Sequence, residues 1–91
     1  MSENNLAQIR KEIDATDQQI VAALAYRADL IIALAKFKTT DQIYDAQREA
    51  EIIANVIDYS RSTNLNFNFI QSLYKQILNE SKKQLKIILK K

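Results

Sequence analysis

The chain has 91 residues, of which 47% are hydrophobic and 26% are charged, and it contains no Gly, Pro, Cys or His. Without cysteine and histidine it has no disulfide framework, thiol nucleophile, imidazole base or common zinc site, so a metal site would need oxygen ligands alone. The glycine-rich loops that bind dinucleotides and phosphates are excluded as well. We therefore expect neither a metal nor a cofactor.

Length and charge favour one small domain, residues 1–91. A chain of this size buries only about 60–65% of the surface that its unfolded form exposes, so a partner chain would add stability. After Ser81 the sequence is basic without a single acid, and residues 86–91 form a basic tail; the lysines are Lys82, Lys83, Lys86, Lys90 and Lys91. Since the 13 basic residues include these five, residues 1–81 carry 8 against 11 acidic ones, which does not support nucleic-acid binding.

The N-terminus, Met1 to Asn5, is polar and leads directly into an amphipathic segment. No apolar run has the length of a signal peptide or a membrane span. The sequence therefore predicts a cytoplasmic protein that does not interact with a membrane.

The first predicted helix is long. Its apolar stripe advances in steps of three and four residues through Leu6, Ile9, Ile13, Thr16, Ile20, Leu24, Ile31 and Leu34. If residues 6–38 are continuous, the helix is about 50 Å long, whereas a compact globule of this size has a diameter of roughly 31 Å. Either Thr16 or Asp17 caps and breaks the helix, or a second chain covers the overhang, and we favour the dimer.

Two shorter helices are predicted to follow, which makes the chain all-α with three helices. Asp45 is the expected N-cap of the second helix, which ends near Tyr59 or Ser60. Asn64 is expected to adopt the left-handed conformation, and Asn66 to cap the third helix. The expected inward face of that helix contains Ile70, Leu73, Tyr74, Ile77, Leu78, Ser81, Leu85 and Ile88.

Charged residues interrupt the apolar stripe of the first helix. Arg27 and Lys38 are in phase with it and would project from one helical face about 16 Å apart. Together with Arg10 and Arg48 they could converge on one pocket, and guanidinium groups bind carboxylates and phosphates well. The alternative is that these long side chains reach solvent at the rim, or that Arg27 forms a structural ion pair.

The second and third helices carry polar candidates of their own. Ser81 and Gln84 lie on the apolar face of the third helix, where a buried polar group needs a partner. Asp45 and Glu49 lie one turn apart and could present acceptors to a ligand. Spacing alone favours a helix cap for Asp45 and a solvated first-turn acid for Glu49.

Four segments carry a recognisable pattern. They are Leu-Ala-Gln-Ile-Arg-Lys-Glu-Ile-Asp at 6–14, Ala-Tyr-Arg at 25–27, Ala-Lys-Phe-Lys at 35–38, and Ile-Tyr-Asp-Ala-Gln-Arg-Glu-Ala-Glu at 43–51. With them the chain resembles the all-helical chorismate mutases from Leu6 to about Leu85. The last segment is the most specific, because it is similar to the family's Ile-Tyr-Asp-Pro-x-Arg-Glu stretch with Ala46 in place of proline.

The resemblance implies an intertwined helical homodimer in which the long first helices pair and each active site takes Arg10 from the neighbouring subunit. Arg27 and the donated Arg10 would bind a substrate carboxylate, while Lys38 would reach the ether oxygen. The other implied binding residues are Asp45, Arg48 and Glu49 around the ring hydroxyl and Ser81 near a carboxylate. The implied reaction is the rearrangement of the dianion chorismate to prephenate, which needs no base, nucleophile or cofactor.

One departure from the family concerns the third helix. The family places a glutamine or glutamate four residues after the helix-three serine, as a second donor to the ether oxygen, and here that residue is Leu85. Gln84 is about 100° away from position 85 on an ideal helix, so a local π-bulge or a slight rotation could bring it in. We predict that Gln84 is the second donor.

The other departure is a short connection between Lys38 and Asp45. Its brevity, and Phe-Lys at 37–38, are similar to the related isochorismate-pyruvate lyases, which share the fold and the set of cations. Those enzymes usually have Pro-Ala-Pro-Glu-Arg where this chain has residues 44–49, so chorismate mutase is our first interpretation. The alternatives are a lyase or mutase acting on a chorismate relative, and a non-catalytic helical dimer that serves as an interaction module.

Overall fold

The structure, a computed structural model, describes residues 3–90, with side chains from residue 5 onward. Met1 and Ser2 of the predicted polar N-terminus and Lys91 of the predicted basic tail lie outside the described residues. Three α-helices follow in chain order: α1 Glu3–Leu34, α2 Ala46–Ser60 and α3 Phe67–Leu89. Two 3₁₀ helices, Ala35–Phe37 and Thr40–Gln42, lie between α1 and α2, and residues 3–90 contain no strand. The predicted all-α fold of three helices with a long first helix is confirmed.

The chain divides into two compact units, Met1–Leu30 and Ile31–Lys91. Over its described residues, 3–30, the first unit is a single helix, the greater part of α1, which has 32 residues in all. The helix runs without interruption through Thr16 and Asp17, so the predicted alternative of a break there is wrong. The Thr16 hydroxyl donates to the carbonyl oxygen of Glu12 at 2.8 Å. Because this bond goes back to the preceding turn, it leaves the helix intact and caps nothing.

The apolar stripe of α1 is exposed. Side chains from residue 5 to residue 26 are all exposed, and the large apolar members of the stripe show 42% to 53% of their surface. We call this set the α1 face; it consists of Leu6, Ile9, Ile13, Ile20 and Leu24. A row of apolar side chains of this size marks an interaction surface.

The second unit begins with the last residues of α1, from Ile31 to Leu34. The α-helix stops at Leu34 and tightens into the first 3₁₀ helix, after which Lys38 has an extended backbone (φ −122°, ψ 151°). The expectation that the first helix continues to Lys38 is therefore wrong. Because Lys38 is not part of α1, the prediction that it shares a helical face with Arg27 is wrong as well. The cause is local: Thr39 and Gln42 form a reciprocal capping box, in which the Thr39 backbone N–H donates to Gln42 Oε1 at 2.9 Å. This box begins a new turn in competition with the helix.

Helices α2 and α3 contact each other and enclose a small core. Its buried members are Ala35, Ile70, Leu78, Leu85 and the polar Ser60, whose hydroxyl donates to the Ile57 carbonyl at 2.8 Å. The predicted inward face of α3 is buried or half-buried at every position except Leu73, which is exposed. That part of the prediction is wrong for Leu73 and confirmed for the others.

Side-chain hydrogen bonds define the starts of both shorter helices. The Asp45 carboxylate accepts from the Arg48 backbone N–H at 3.0 Å, and Asn66 accepts from the Phe69 N–H at 3.1 Å. Both predicted N-caps are confirmed. The left-handed conformation predicted for Asn64 is wrong, because no residue in the described range has a positive φ. Thr63 makes the turn instead: its hydroxyl donates to the Ser60 carbonyl at 2.6 Å and accepts from the Leu65 N–H at 3.1 Å.

Over residues 3–90, no helix combines the length and apolarity that a membrane crossing requires.

Candidate functional site

An open pocket of about 600 Å³ lies beside Lys38 in the second unit. A volume of this order is typical of small-molecule sites. The Lys38 side chain is half-buried, and its ammonium donates to the Gln42 carbonyl oxygen at 3.0 Å. The pocket is lined by Leu34, Phe37, Lys38, Asp41, Gln42, Tyr44, Asp45 and Ala46. A fixed cation therefore lies in a concave surface that apolar and acidic side chains complete.

The turn that shapes this pocket is held by hydrogen bonds of its own side chains. The Thr39 hydroxyl donates to the Asp41 carboxylate. This bond lowers the pKa of the Asp41 carboxyl below its usual value, and a backbone hydrogen bond adds to the effect. Both hydrogen bonds favour the charged form of the carboxyl. The pocket wall thus carries the carboxylates of Asp41 and Asp45 against the single ammonium of Lys38.

Asp45 and Arg48 lie at the start of α2. The Asp45 carboxylate is engaged as the helix cap, as its spacing predicts. The guanidinium of Arg48 lies 3.6 Å from the Glu51 carboxylate, and both side chains are more than half exposed. An exposed pair of this kind contributes little to stability, so Arg48 can exchange its partner at low cost.

Glu49 forms a half-buried ion pair between α2 and α3. Its carboxylate oxygens lie 3.2 Å and 3.4 Å from the Lys82 ammonium on α3, and the two side chains are 25% and 29% exposed. The same ammonium lies 4.8 Å from the centre of the Tyr44 ring, a cation–π distance. The spacing prediction that Glu49 is merely a solvated first-turn acid is wrong, because α3 supplies a cation.

On α3, the predicted polar positions lie beside the core. Ser81 is half-buried, and its hydroxyl donates to the Ile77 carbonyl at 3.1 Å, a bond back to the preceding turn of α3. Gln84 is half-buried, and Leu85 is buried at 4% exposure. Helix α3 is regular from Phe67 to Leu89, so the π-bulge considered for Gln84 is wrong, and only a rotation of the helix remains for the predicted donor role.

The two remaining predicted cations belong to the first unit. Arg10 is exposed, near the start of α1, and Arg27 is half-buried near the end of the unit. Within the second unit, the structure brings Lys38 and Asp45 to one pocket and joins Glu49 to Lys82. Tyr44 belongs to both groups, since it lines the pocket and covers the Lys82 ammonium.

Sequence analysis does not predict a site role for Lys82 or Tyr44, although Tyr44 lies in the recognised segment 43–51. Lys82 lies in the basic stretch after Ser81, where it resembles its solvated neighbours. Its position directly after Ser81 on α3 is the only local signal that places it near the predicted site.

A small helical chain that combines arginine and lysine cations with carboxylates, and has no thiol or imidazole, belongs to a class suited to binding an anionic ligand. The sequence model of the family described as "Chorismate mutase type II" matches residues 9–86, and the chain belongs to this family. The resemblance predicted from the sequence is confirmed.

The relatives carry two kinds of name, bifunctional chorismate mutase/prephenate dehydratase and isochorismate pyruvate lyase. The bifunctional chorismate mutase/prephenate dehydratase of Buchnera aphidicola subsp. Schizaphis graminum is 35% identical over 88% of this chain and 21% of the relative. That of Escherichia coli K12 is 29% identical over the same shares. The isochorismate pyruvate lyase of Pseudomonas aeruginosa PAO1 is 32% identical over 81% of this chain and 74% of the relative. The chain thus spans about a fifth of the length of the bifunctional relatives.

No solved structure matches the chain significantly.

Proposed function

We propose that this chain is a chorismate mutase, an isomerase that rearranges chorismate to prephenate without a cofactor. The observation that carries the proposal is the family match over residues 9–86, which includes the segment from Lys38 to Glu49 around the pocket. The names of the bifunctional relatives support the same activity. The reaction is unimolecular, so a catalyst needs only to hold the substrate in a reactive geometry and to stabilise the transition state.

In this proposal Lys38 supplies the main electrostatic effect. Negative charge develops on the ether oxygen as its C–O bond breaks, and a fixed ammonium stabilises that oxygen more in the transition state than in the ground state. The structure supports this role, because the ammonium is already held at 3.0 Å from an oxygen atom at the pocket wall. Gln84 is the proposed second donor, reached by a small rotation of α3.

The pocket beside Lys38 needs further cations before it can hold a dianion. Asp41 and Asp45 outnumber Lys38 on its wall, so the charge of this pocket alone is unfavourable to two carboxylates. We propose that Arg27, and Arg10 from a second copy of the chain, bind a substrate carboxylate as bidentate forks. The other proposed contacts are Arg48, Asp45 and Glu49 around the ring hydroxyl and Ser81 near a carboxylate.

The proposed assembly is an intertwined homodimer. The α1 face exposes a row of large apolar side chains over most of the helix, and a second α1 in the dimer would bury them. An isolated amphipathic helix is only marginally stable in water, so burial of this face supports the helix itself. We propose that residues 1–91 act as one domain in this dimer. The cytoplasmic location stays a prediction.

A second candidate, an isochorismate pyruvate lyase, is favoured by one observation. The Pseudomonas aeruginosa relative with that name matches this chain over 74% of its own length. The short turn between Lys38 and Asp45 is the feature that the sequence shares with such enzymes. We rank this activity second because the segment at residues 43–51 is similar to that of the mutases.

The test is to incubate the purified chain with chorismate, and in parallel with isochorismate. We expect the near-ultraviolet absorbance of chorismate to fall with formation of prephenate, identified by mass spectrometry and chromatography. Release of pyruvate from isochorismate without prephenate formation would favour the lyase. A folded dimer that converts neither substrate would leave the non-catalytic helical module as the function.

A further inference from the structure

Lys82 connects three segments of the second unit. Its ammonium on α3 lies between the Glu49 carboxylate on α2, at 3.2 Å and 3.4 Å, and the Tyr44 ring just before α2, at 4.8 Å. The neighbouring Lys83 instead pairs with Glu80 one turn earlier on the same helix, with both side chains more than 70% exposed. Two adjacent lysines thus differ in environment, since one is half-buried between helices and the other lies on the surface.

The contact fixes the Glu49 side chain in two ways. An ammonium close to both carboxylate oxygens restricts the orientation of the carboxylate, and the Tyr44 ring restricts the ammonium from another direction. Because only 25% of the Glu49 side chain is exposed, solvent screens this pair less than an exposed one. The carboxylate therefore has a defined direction before any ligand arrives.

We propose that Lys82 is a positioning residue that holds Glu49 for the ring hydroxyl of the substrate. This inference rests on the proposed function, which gives Glu49 that contact. A bare carboxylate is repelled by a dianionic substrate, and the Lys82 charge offsets this repulsion. Lys82 itself lies against Glu49 and Tyr44 and touches no reacting atom in this role. The Glu49 carboxylate can thus lie beside a dianionic substrate with its own negative charge balanced by Lys82.

The role predicts a particular kinetic signature. A hydrogen bond from the ring hydroxyl to Glu49 is present in the ground state and the transition state alike, because the hydroxyl takes no part in bond making or breaking. Loss of its orientation should therefore raise KM and leave kcat nearly unchanged. A general loss of structure at the site would lower kcat as well.

The test compares Lys82→Met with Lys83→Met, which removes the same charge from the neighbouring surface position. We expect Lys82→Met to raise KM for chorismate about tenfold, the middle of the range for directly coupled residues. Lys83→Met should leave both constants within about twofold, as expected of a surface pair. Lys82→Arg keeps the charge and should restore most of the affinity, while circular dichroism verifies the fold of each variant.

A double substitution tests whether Lys82 acts through Glu49. In a Glu49→Gln background, Lys82→Met should change KM by less than about twofold, because the residue it positions is already neutral. Equal effects in both backgrounds, or a fall in kcat with KM unchanged, would overturn the positioning role while the mutase activity stands. If Lys82→Met does not fold, Lys82→Gln is read by the same criteria.

Nuclear magnetic resonance of the lysine ammonium groups reads the contact without turnover. Glu49→Gln should shift the Nζ resonance of Lys82 and leave that of Lys83 unchanged, and an unshifted Lys82 signal would overturn the inference. If Glu49→Gln produces this shift but the wild-type chain does not convert chorismate, the proposed function is refuted, and the role of Lys82 toward substrate with it. The two failures are thus distinguishable.

Discussion

The two units of this chain differ in how much of their apolar surface they bury. In the second unit, α2 and α3 bury Ile70, Leu78 and Leu85 against each other and close a small core. In the first unit, the long helix leaves the α1 face exposed. A single chain therefore buries only part of its apolar side chains. In the proposed dimer the remainder is satisfied by a second copy, which also completes the set of cations.

The most severe test of this comparison is a charge in the α1 face. We expect Ile13→Asp to abolish dimerisation and with it nearly all activity, because a buried unpaired carboxylate costs several kcal/mol. Multi-angle light scattering should show a chain of 10.5 kDa where the wild type has twice that mass. Gln18→Asp adds the same charge on the opposite side of α1 and should remain dimeric. A folded wild-type monomer at micromolar concentration would refute the dimer.

The next test asks which chain supplies each arginine of the first unit. Arg10→Ala and Arg27→Ala should each be nearly inactive, by about a hundredfold or more, since each removes a fixed charge from the site. Mixing the two variants should restore about a quarter of the sites, because half of the dimers are mixed and each has one intact site. Mixing Arg27→Ala with Lys38→Ala should restore nothing, because both residues serve the same subunit's site. Recovery in neither mixture, with exchange verified, would place both arginines in one subunit's pocket.

A loss of similar size is expected from Lys38, the proposed catalytic cation of the second unit. Lys38→Met should lower kcat by a few hundredfold, or about 3–4 kcal/mol, the range for removing one preorganised donor. The control is Lys36→Met. It removes an equal charge two residues before Lys38, from an exposed side chain that does not line the pocket. Steady-state kinetics with chorismate measure both. Equal effects of the two substitutions would mean that Lys38 acts only through overall charge.

The smallest expected effect concerns α3, where the proposed donor Gln84 is adjacent to the core residue Leu85. If a rotation of α3 makes Gln84 the second donor, Gln84→Ala should cost roughly 2–4 kcal/mol in transition-state stabilisation. If Lys38 works alone, Gln84→Ala should be nearly silent and Leu85→Gln should raise the rate. Because Leu85 is buried at 4% exposure, Leu85→Gln should also lower the free energy of unfolding by about 1–3 kcal/mol. Thermal unfolding must therefore accompany the kinetics.

Features with a local cause were predictable from the sequence. Asp45 and Asn66 each begin a helix by bonding a backbone N–H three residues ahead, and this signal is contained in a few adjacent residues. The long α1 follows from an apolar period without glycine or proline to interrupt it. The predicted end of α1 is wrong because the Thr39–Gln42 capping box begins a new turn just after Lys38. Asn64 was misassigned because Thr63 makes the turn with its hydroxyl.

Features that depend on the meeting of distant residues were not predictable. Lys82 and Glu49 are separated by 33 positions, and only the packing of α3 on α2 brings the two charges together. The charge pattern singled out Lys38, and the family resemblance added predicted binding roles for Asp45 and Glu49. Spacing alone favoured a helix cap for Asp45 and a solvated acid for Glu49. The sequence predicted that α3 carries Leu85 in place of a polar donor. It did not predict that α3 is regular throughout and rules out a π-bulge.

The hydrogen bond between the Lys38 ammonium and the Gln42 carbonyl has a kinetic consequence for the proposed enzyme. Ordering a free lysine side chain costs up to about 2 kcal/mol of rotational entropy. In this chain much of that ordering accompanies folding, because the ammonium is held by an oxygen four residues ahead in the same turn. Arrival of the substrate then exchanges one oxygen partner for another, with little loss of motion in the protein. Substitutions that loosen the turn, such as Thr39→Ala, should restore that motion and so weaken the interaction of Lys38 with substrate, although Thr39 does not line the pocket.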